Sequence, residues 1–275
     1  MHSPIVIISQ FSVDRFLGRL SAELYGAIVL FCKSINSHVR GKKVMKFLID
    51  GILEAFRLLA TGDPEVMRIT LLSLKISGAA TLISTVIGVT SGTAIALIRF
   101  PGRRIVMALV NTGMGLPPVV VGLFVTILIW RSGPLGSLGL LYTPAAMVIA
   151  QTCIALPIIT GITISAIQRL PDKLAIQILA LGATRRQMVW LLMKEARLPL
   201  LTAIMAGFGG VISEIGASMM VGGNIKGYTR VLTTATVMET GKGNFALAIA
   251  LGVILLILAF AVNYLLTTIQ QRGSK

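Results

Sequence analysis

PDKLAIQILALGATRRQMVWLLMKEARLP, from Pro171 to Pro199, is the one sizeable stretch after Ile69 that lacks the composition of a membrane-embedded segment, and it lies between two long apolar runs. Pro171 and Asp172 open a helix in the expected way, with a proline and an acid near the positive end of the helix dipole. Leu174, Ile178 and Leu181 then fall on one face, and Gly182 ends the segment. A second helical stretch follows, with Arg185 and Arg186 at its start. Two short helices joined at a glycine make a knob that fits a groove in a soluble partner. A helix lying flat on the membrane surface is the alternative.

Outward from this stretch the chain turns apolar. Of 275 residues, 55% are hydrophobic and 13% charged, and the mean hydropathy is +0.88. A soluble domain carries about a quarter charged residues, so the composition is that of an all-α, polytopic membrane protein. The net charge of +15 does not point to nucleic acid, because the basic residues are scattered among apolar spans and aromatic residues make up only 6%. Basic loops facing an anionic cytoplasmic leaflet account for it. Cys32 and Cys153 are not expected to pair, since Cys153 falls inside an apolar span. The N-terminus, MHSPIVIISQ, has no basic lead of the kind a signal peptide carries. Its most apolar run, Leu24 to Cys32, is too short for a crossing that needs about twenty residues.

A hydropathy window of about nineteen residues picks out five core spans, Ile69–Ile98, Ile105–Trp130, Thr143–Ile167, Leu200–Val221 and Asn244–Leu266. None alternates in polarity, which excludes a β-barrel. Arg99, Arg103 and Arg104 follow span one, Arg169, Lys173, Arg185, Arg186, Lys194 and Arg197 follow span three, and Arg272 and Lys275 follow span five. These regions share one side, which makes that side, with the C-terminus, cytoplasmic in a multi-pass cell-membrane protein. The cluster Arg40, Lys42, Lys43 and Lys46 then falls outside, against the rule. A translation start at Met45 removes most of it, and a half-inserted segment around Leu24–Cys32 is the alternative. The resulting division is an extension over 1–44, an interfacial amphipathic helix and outer segment over 45–67, a transmembrane domain over 68–270 with a cytoplasmic loop over 171–199, and a cytoplasmic tail over 271–275. The interfacial helix has Phe47, Ile52, Leu53, Phe56 and Leu59 as its apolar set.

Inside the spans, Gly88 and Gly92 have GxxxG spacing, a packing signal. Span two is interrupted by Asn111, Thr112, Gly113, Gly115, Pro117 and Pro118, and its freed carbonyls need protein or a water-filled path. Span three carries Gln151, Thr152, Pro157 and Thr160. Glu214 is the one acid inside a span. An intramembrane carboxylate is a functional candidate by default, here as a gate-holding group, because it repels an anion. A buried partner for a backbone donor is the other reading.

With these residues in view, the chain resembles the membrane subunits of ATP-binding-cassette importers of the oxyanion group. The run ALGAT (Ala180–Thr184) carries the resemblance in the knob, Gly182 standing for the glycine of that family's coupling loop. Ile176, Gln177 and Ile178 replace its glutamate–alanine–alanine, and its leucine–proline pair is displaced to Leu198 and Pro199. From Met45 onward the tungstate-specific permeases are the nearer resemblance, through GDPEVMRITLLSL (Gly62–Leu74), NTGMGLPPVVVGL (Asn111–Leu123), SGPLG (Ser132–Gly136) and ISEIGASMMVGGNIKGYTRVLTTA (Ile212–Ala235). Molybdate and sulfate permeases share the pattern of Glu214, Gly216 and Ala217.

The resemblance implies a homodimer of this chain with two ATPase subunits that use the ATP, and a separate oxyanion-binding protein outside. It implies no cofactor or metal on this chain and no catalytic site. Contact with the ATPase falls to Leu174, Ile178, Leu181, Gly182, Ala183, Arg185 and Arg186, and contact with the binding protein to Gly222, Gly223 and Asn224. Asn111, Thr112, Gln151, Thr152, Thr160 and Glu214 are the candidates for path or gate. No GxxxxGK[ST] phosphate loop occurs, so this chain is not expected to hydrolyse ATP. A proton-coupled transporter using Glu214 is the rival reading, although the inverted repeats it needs are not seen.

Overall fold

A computed structural model describes residues 41–272, and among them every regular element is helical. The expected extension is described only from Gly41, so residues 1–40, with the Leu24–Cys32 run, lie outside the described residues. The chain divides after Asp50. Of the first unit only the start of α1 (Gly41–Thr61) is described, with Phe47, Leu48 and Ile49 exposed. The second unit runs from Gly51 to Lys275.

Within that unit, Gly51 lets α1 approach α11 (Phe245–Arg272) so closely that a Cβ would sit 2.5 Å from Ile249 Cγ2. Ala55, Leu58 and Leu59 pack inward against Val66, Ile69 and Leu251. Ile52, Leu53 and Phe56 face out. The expected apolar set is therefore split, and only Leu59 of it joins this core.

Helix α2 (Pro64–Leu97) starts where Asp63 Oδ1 accepts the Glu65 and Val66 amides at 3.0 and 2.9 Å, with proline at the first position. Its 34 residues span about 51 Å, so it starts before Ile69 and projects beyond a hydrocarbon layer of about 30 Å. It lies along α5 (Pro144–Gln168), with Gly88 and Gly92 against Ile159, Thr160 and Thr163. A Cβ on Gly92 would come within 2.8 Å of Thr163 Cβ, so the GxxxG spacing is a packing device here. Helix α5 is the hub. Its Met147, Ala155 and Ile159 are fully buried in the main core with Val121, Val125, Ala203, Val211, Ala217 and Val221.

Among the described residues three helices, α2, α5 and α11, are long and apolar enough to cross a membrane, and up to five spans result if two bent pairs count as one each. The bent pairs replace expected straight spans. Span two is α3 (Arg103–Met114) and α4 (Pro118–Ile129), bent by 105° where Pro117 and Pro118 forbid a continuous ladder. Span four runs from α7 (Arg185–Glu195) through a 68° bend into α8 (Arg197–Ile212) and stops there. A separate α9 (Gly216–Gly222) follows a break at Ser213–Ile215. The expected loop Gly222–Gly243 also contains a helix, α10 (Leu232–Gly241), whose first amide is satisfied by Ser73 Oγ of α2 at 2.8 Å. That bond joins residues 159 apart in the chain, which no local pattern announces.

Candidate functional site: a seam of broken helices and a capped knob

The two breaks come together. Gly216 starts α9 where a Cβ would meet Val119 Cγ2 at 2.5 Å, and a Cβ on Gly122 of α4 would lie 2.6 Å from Ala217 Cα. The buried Glu214 carboxylate accepts the Ala217 amide at 2.8 Å through Oε1, and its carbonyl accepts the Thr233 hydroxyl at 3.0 Å. The carboxylate thus restarts a helix that the break had ended, the backbone-partner role weighed above. Gln151 of α5 donates to Ser218 Oγ at 3.3 Å, while its own Oε1 is buried without a partner among the described residues.

The six expected path residues therefore separate. Gln151 and Glu214 both hold α9. Thr152 and Thr160 donate to the carbonyls of Val148 and Leu156, both at 2.7 Å. They lie along the α2 seam, where the Thr152 carbonyl accepts Ser84 Oγ and Thr160 Oγ1 faces Gly88. Asn111 and Thr112 are exposed on the last turns of α3. Ser218 and Thr233 completed the seam without any signal in the sequence, because their role is a contact with distant residues.

Beyond α9 the chain makes a tight loop. Gly223 and Asn224 adopt left-handed backbone, at φ +68° and +51°. Gly222 is buried against the Met147 side chain, and the Gly223 backbone lies against the Tyr142 ring. Buried Thr229 cinches the loop, donating to the Gly222 carbonyl and accepting the Ile225 amide at 2.9 Å. Gly222, Gly223 and Asn224 are thus the base of the loop, and its exposed tip is Ile225 to Tyr228. Beside it Glu65 pairs with Lys226 at 2.8 Å and Arg230 at 3.5 Å, over a cavity of about 450 Å³. Glu239, on the same cavity, receives hydrogen bonds from Asn244 and Lys242, both 2.8 Å, which hold its carboxyl below the usual carboxylate range.

At the other end of α5 the knob is built by local chemistry. Helix α6 (Asp172–Ala180) ends with Gly182 at φ +86°, its amide bonding the Leu179 carbonyl and the Ala183 amide bonding Ile178. This pair of bonds is a Schellman turn. Thr184 then caps α7, exchanging bonds with Gln187 at 2.7 and 3.3 Å. The expected apolar face is corrected in part. Leu181 is 88% exposed, but Leu174 and Ile178 are half-buried, and the outward apolar side chains beside Leu181 are Ile176, at 68%, and Leu179. Arg185 and Arg186 are exposed, and Ala183 is half-buried.

The sequence model of a family described as "Binding-protein-dependent transport system inner membrane component" matches residues 50–275. This chain belongs to that family. The chain is 42% identical over 216 residues to the "Probable anion ABC transporter permease protein" of Haloferax volcanii, covering 76% of this chain and 93% of the relative. It is 37% identical over 227 residues to the "Tungstate uptake system permease protein TupB" of Peptoclostridium acidaminophilum, covering 82% of this chain and all of the relative. Its fold matches a chain of the crystal structure of a bacterial alginate ABC transporter in complex with alginate pentasaccharide-bound periplasmic protein. The TM-score there is 0.68 at 17% identity, covering 94% of this chain and 96% of the other.

Proposed function

We propose that this chain is the permease subunit of an ATP-driven oxyanion importer with tungstate as its cargo. The observation that carries the reading is the 37% identity that spans the whole length of a tungstate permease. In this reading the chain works as a homodimer with two ATPase subunits on the α6 side and an oxyanion-binding protein on the side of the Ile225–Tyr228 tip. The basic residues beside α6 support a cytoplasmic position for the knob and the C-terminus.

The knob suits docking because a soluble loop has no reason to hold Ile176, Leu179 and Leu181 out to water. Closure of the ATPase pair on ATP moves α6, and the 68° junction passes that motion to α8 and so to the α4–α9 seam. High-affinity selection belongs to the binding protein, since a path must release what it carries. Asn111, Thr112, Gln151, Thr152, Thr160 and Glu214 remain the proposed path and gate residues. Of these, Asn111 and Thr112 are open to the surroundings.

The test is ATP hydrolysis by the reconstituted complex with its binding protein, comparing tungstate, molybdate and sulfate. Stimulation by tungstate well above the other two, lost in Leu181→Asp, is the expected result. Equal stimulation by molybdate or sulfate reassigns the cargo, and no stimulation by any oxyanion overturns the importer reading.

A further inference from the structure

At the α6 end of the bundle a cavity of about 330 Å³ opens between the last turns of α3 and α5 and the start of α8. Met114 of α3 seats against Gly161 of α5, which brings Asn111, one turn earlier, over the turn of α5 that carries Ser165. The polar lining is Asn111, Ser165 and Arg169, and no carboxylate is among the lining residues.

None of these three side chains makes a hydrogen bond or ion pair among the described residues. Ser165 differs in this from Thr152 and Thr160 of the same helix, whose hydroxyls turn back to carbonyls one turn earlier. Arg169 differs from Arg103, whose guanidinium donates to the Ile95 and Ala96 carbonyls at 2.7 and 2.9 Å. It differs too from Lys226, Arg230 and Lys242 at the far end, each of which meets a carboxylate. All three are exposed, and Arg169 is the residue just past the end of α5; lipid tails cannot satisfy an amide, a hydroxyl and a guanidinium, so this wall faces water or an anion.

Resting on the oxyanion-importer reading, we propose that Asn111, Ser165 and Arg169 form a low-affinity site for a tetrahedral dianion, the last station before release. The planar fork of Arg169 matches two oxygens of such an ion, and Asn111 Nδ2 and Ser165 Oγ supply donors for the others. The carbonyl end of α5 points negative partial charge at the same place, which keeps the dwell short. A station on a transport path needs that balance.

The experiment uses the full complex with Cys32→Ser, Cys153→Ser and Ser165→Cys in the permease, leaving Asn111 and Arg169 in place. The rate of modification by 2-aminoethyl methanethiosulfonate is measured with tungstate or with chloride at equal ionic strength. At tungstate near four times Kd, modification slows about fivefold. Arg169→Gln abolishes that protection, and Arg169→Lys keeps part of it. A thiol that reacts equally fast with tungstate, or does not react at all, overturns the site. Protection in anionic lipid vesicles without tungstate, absent in detergent, identifies a phospholipid phosphate as the occupant and also overturns it. Tungstate-stimulated hydrolysis in the same preparation keeps the two readings apart. Stimulation without protection removes only the site, and protection without stimulation removes only the importer.

Discussion

The knob and the seam are built on opposite principles. From Ile178 to Gln187 the knob is held by bonds between residues no more than five apart, and it leaves Leu181 and Ile176 in the open. The seam between α4 and α9 is held by partners far apart in the chain, with no space for one methyl group between Gly122 and Ala217. A surface that keeps its shape from local bonds can meet a partner without disturbing the bundle. A seam with backbone against backbone has a few discrete arrangements, which suits it to a gate.

The largest effect tests the seam. Gly122→Val forces α4 away from the Ala217 backbone and costs about 3 kcal/mol, read as a lowered unfolding midpoint in nanodiscs together with lost uptake. A stable, active Gly122→Val would break the contrast. Glu214 comes next. Glu214→Leu strands the Ala217 amide and costs about 2 kcal/mol, whereas Glu214→Gln keeps an acceptor and most of the uptake. Should Glu214→Gln stay folded but stop transport, the carboxylate has a charge or proton role beyond capping.

The knob responds differently. Gly182→Ala meets no neighbour but must hold φ +86°, a local cost of about 1 kcal/mol. Hydrolysis stimulated by the binding protein should fall while the unfolding midpoint hardly moves. A midpoint drop as large as that of Gly122→Val would show that the knob is part of the bundle after all. The smallest effect lies at the far end. Because Asn244 and Lys242 depress the folded pKa of Glu239, its contribution is present above the ordinary value of 4.5 and is lost as pH falls through the folded value. Glu239→Gln therefore lowers the unfolding midpoint by a few degrees at neutral pH, and the gap from the natural protein closes on acidification. A gap that persists at low pH would mean that packing, not charge, holds α10.

How much of this could be read in advance follows the same division. The apolar spans, the proline break in span two, the Gly182 turn and the second helix after it were legible, because each rests on residues adjacent in sequence. The side of α6 that faces out was not, since Leu174 and Ile178 are half-buried while Ile176, Leu179 and Leu181 are exposed, and burial is set by tertiary neighbours that spacing along one helix does not reveal. The break after Ile212 was missed for a similar reason. Ser213 and Glu214 are polar, but they sit in an otherwise apolar run with no proline, and the Val119 and Thr233 contacts mark where the helix stops. The polar lining at Ser165 and Arg169 was likewise invisible, being assembled from α3, α5 and α8.

The sequence by itself determined the helical class, the number of apolar segments and the place of the knob, because hydropathy and capping act over a turn or two of chain. The tertiary structure decided which polar groups meet. Glu214 became a cap, Gln151 a strut to α9, and Asn111, Ser165 and Arg169 one wall of a cavity, because hydrogen-bond partners far apart in sequence are chosen by packing and not by spacing.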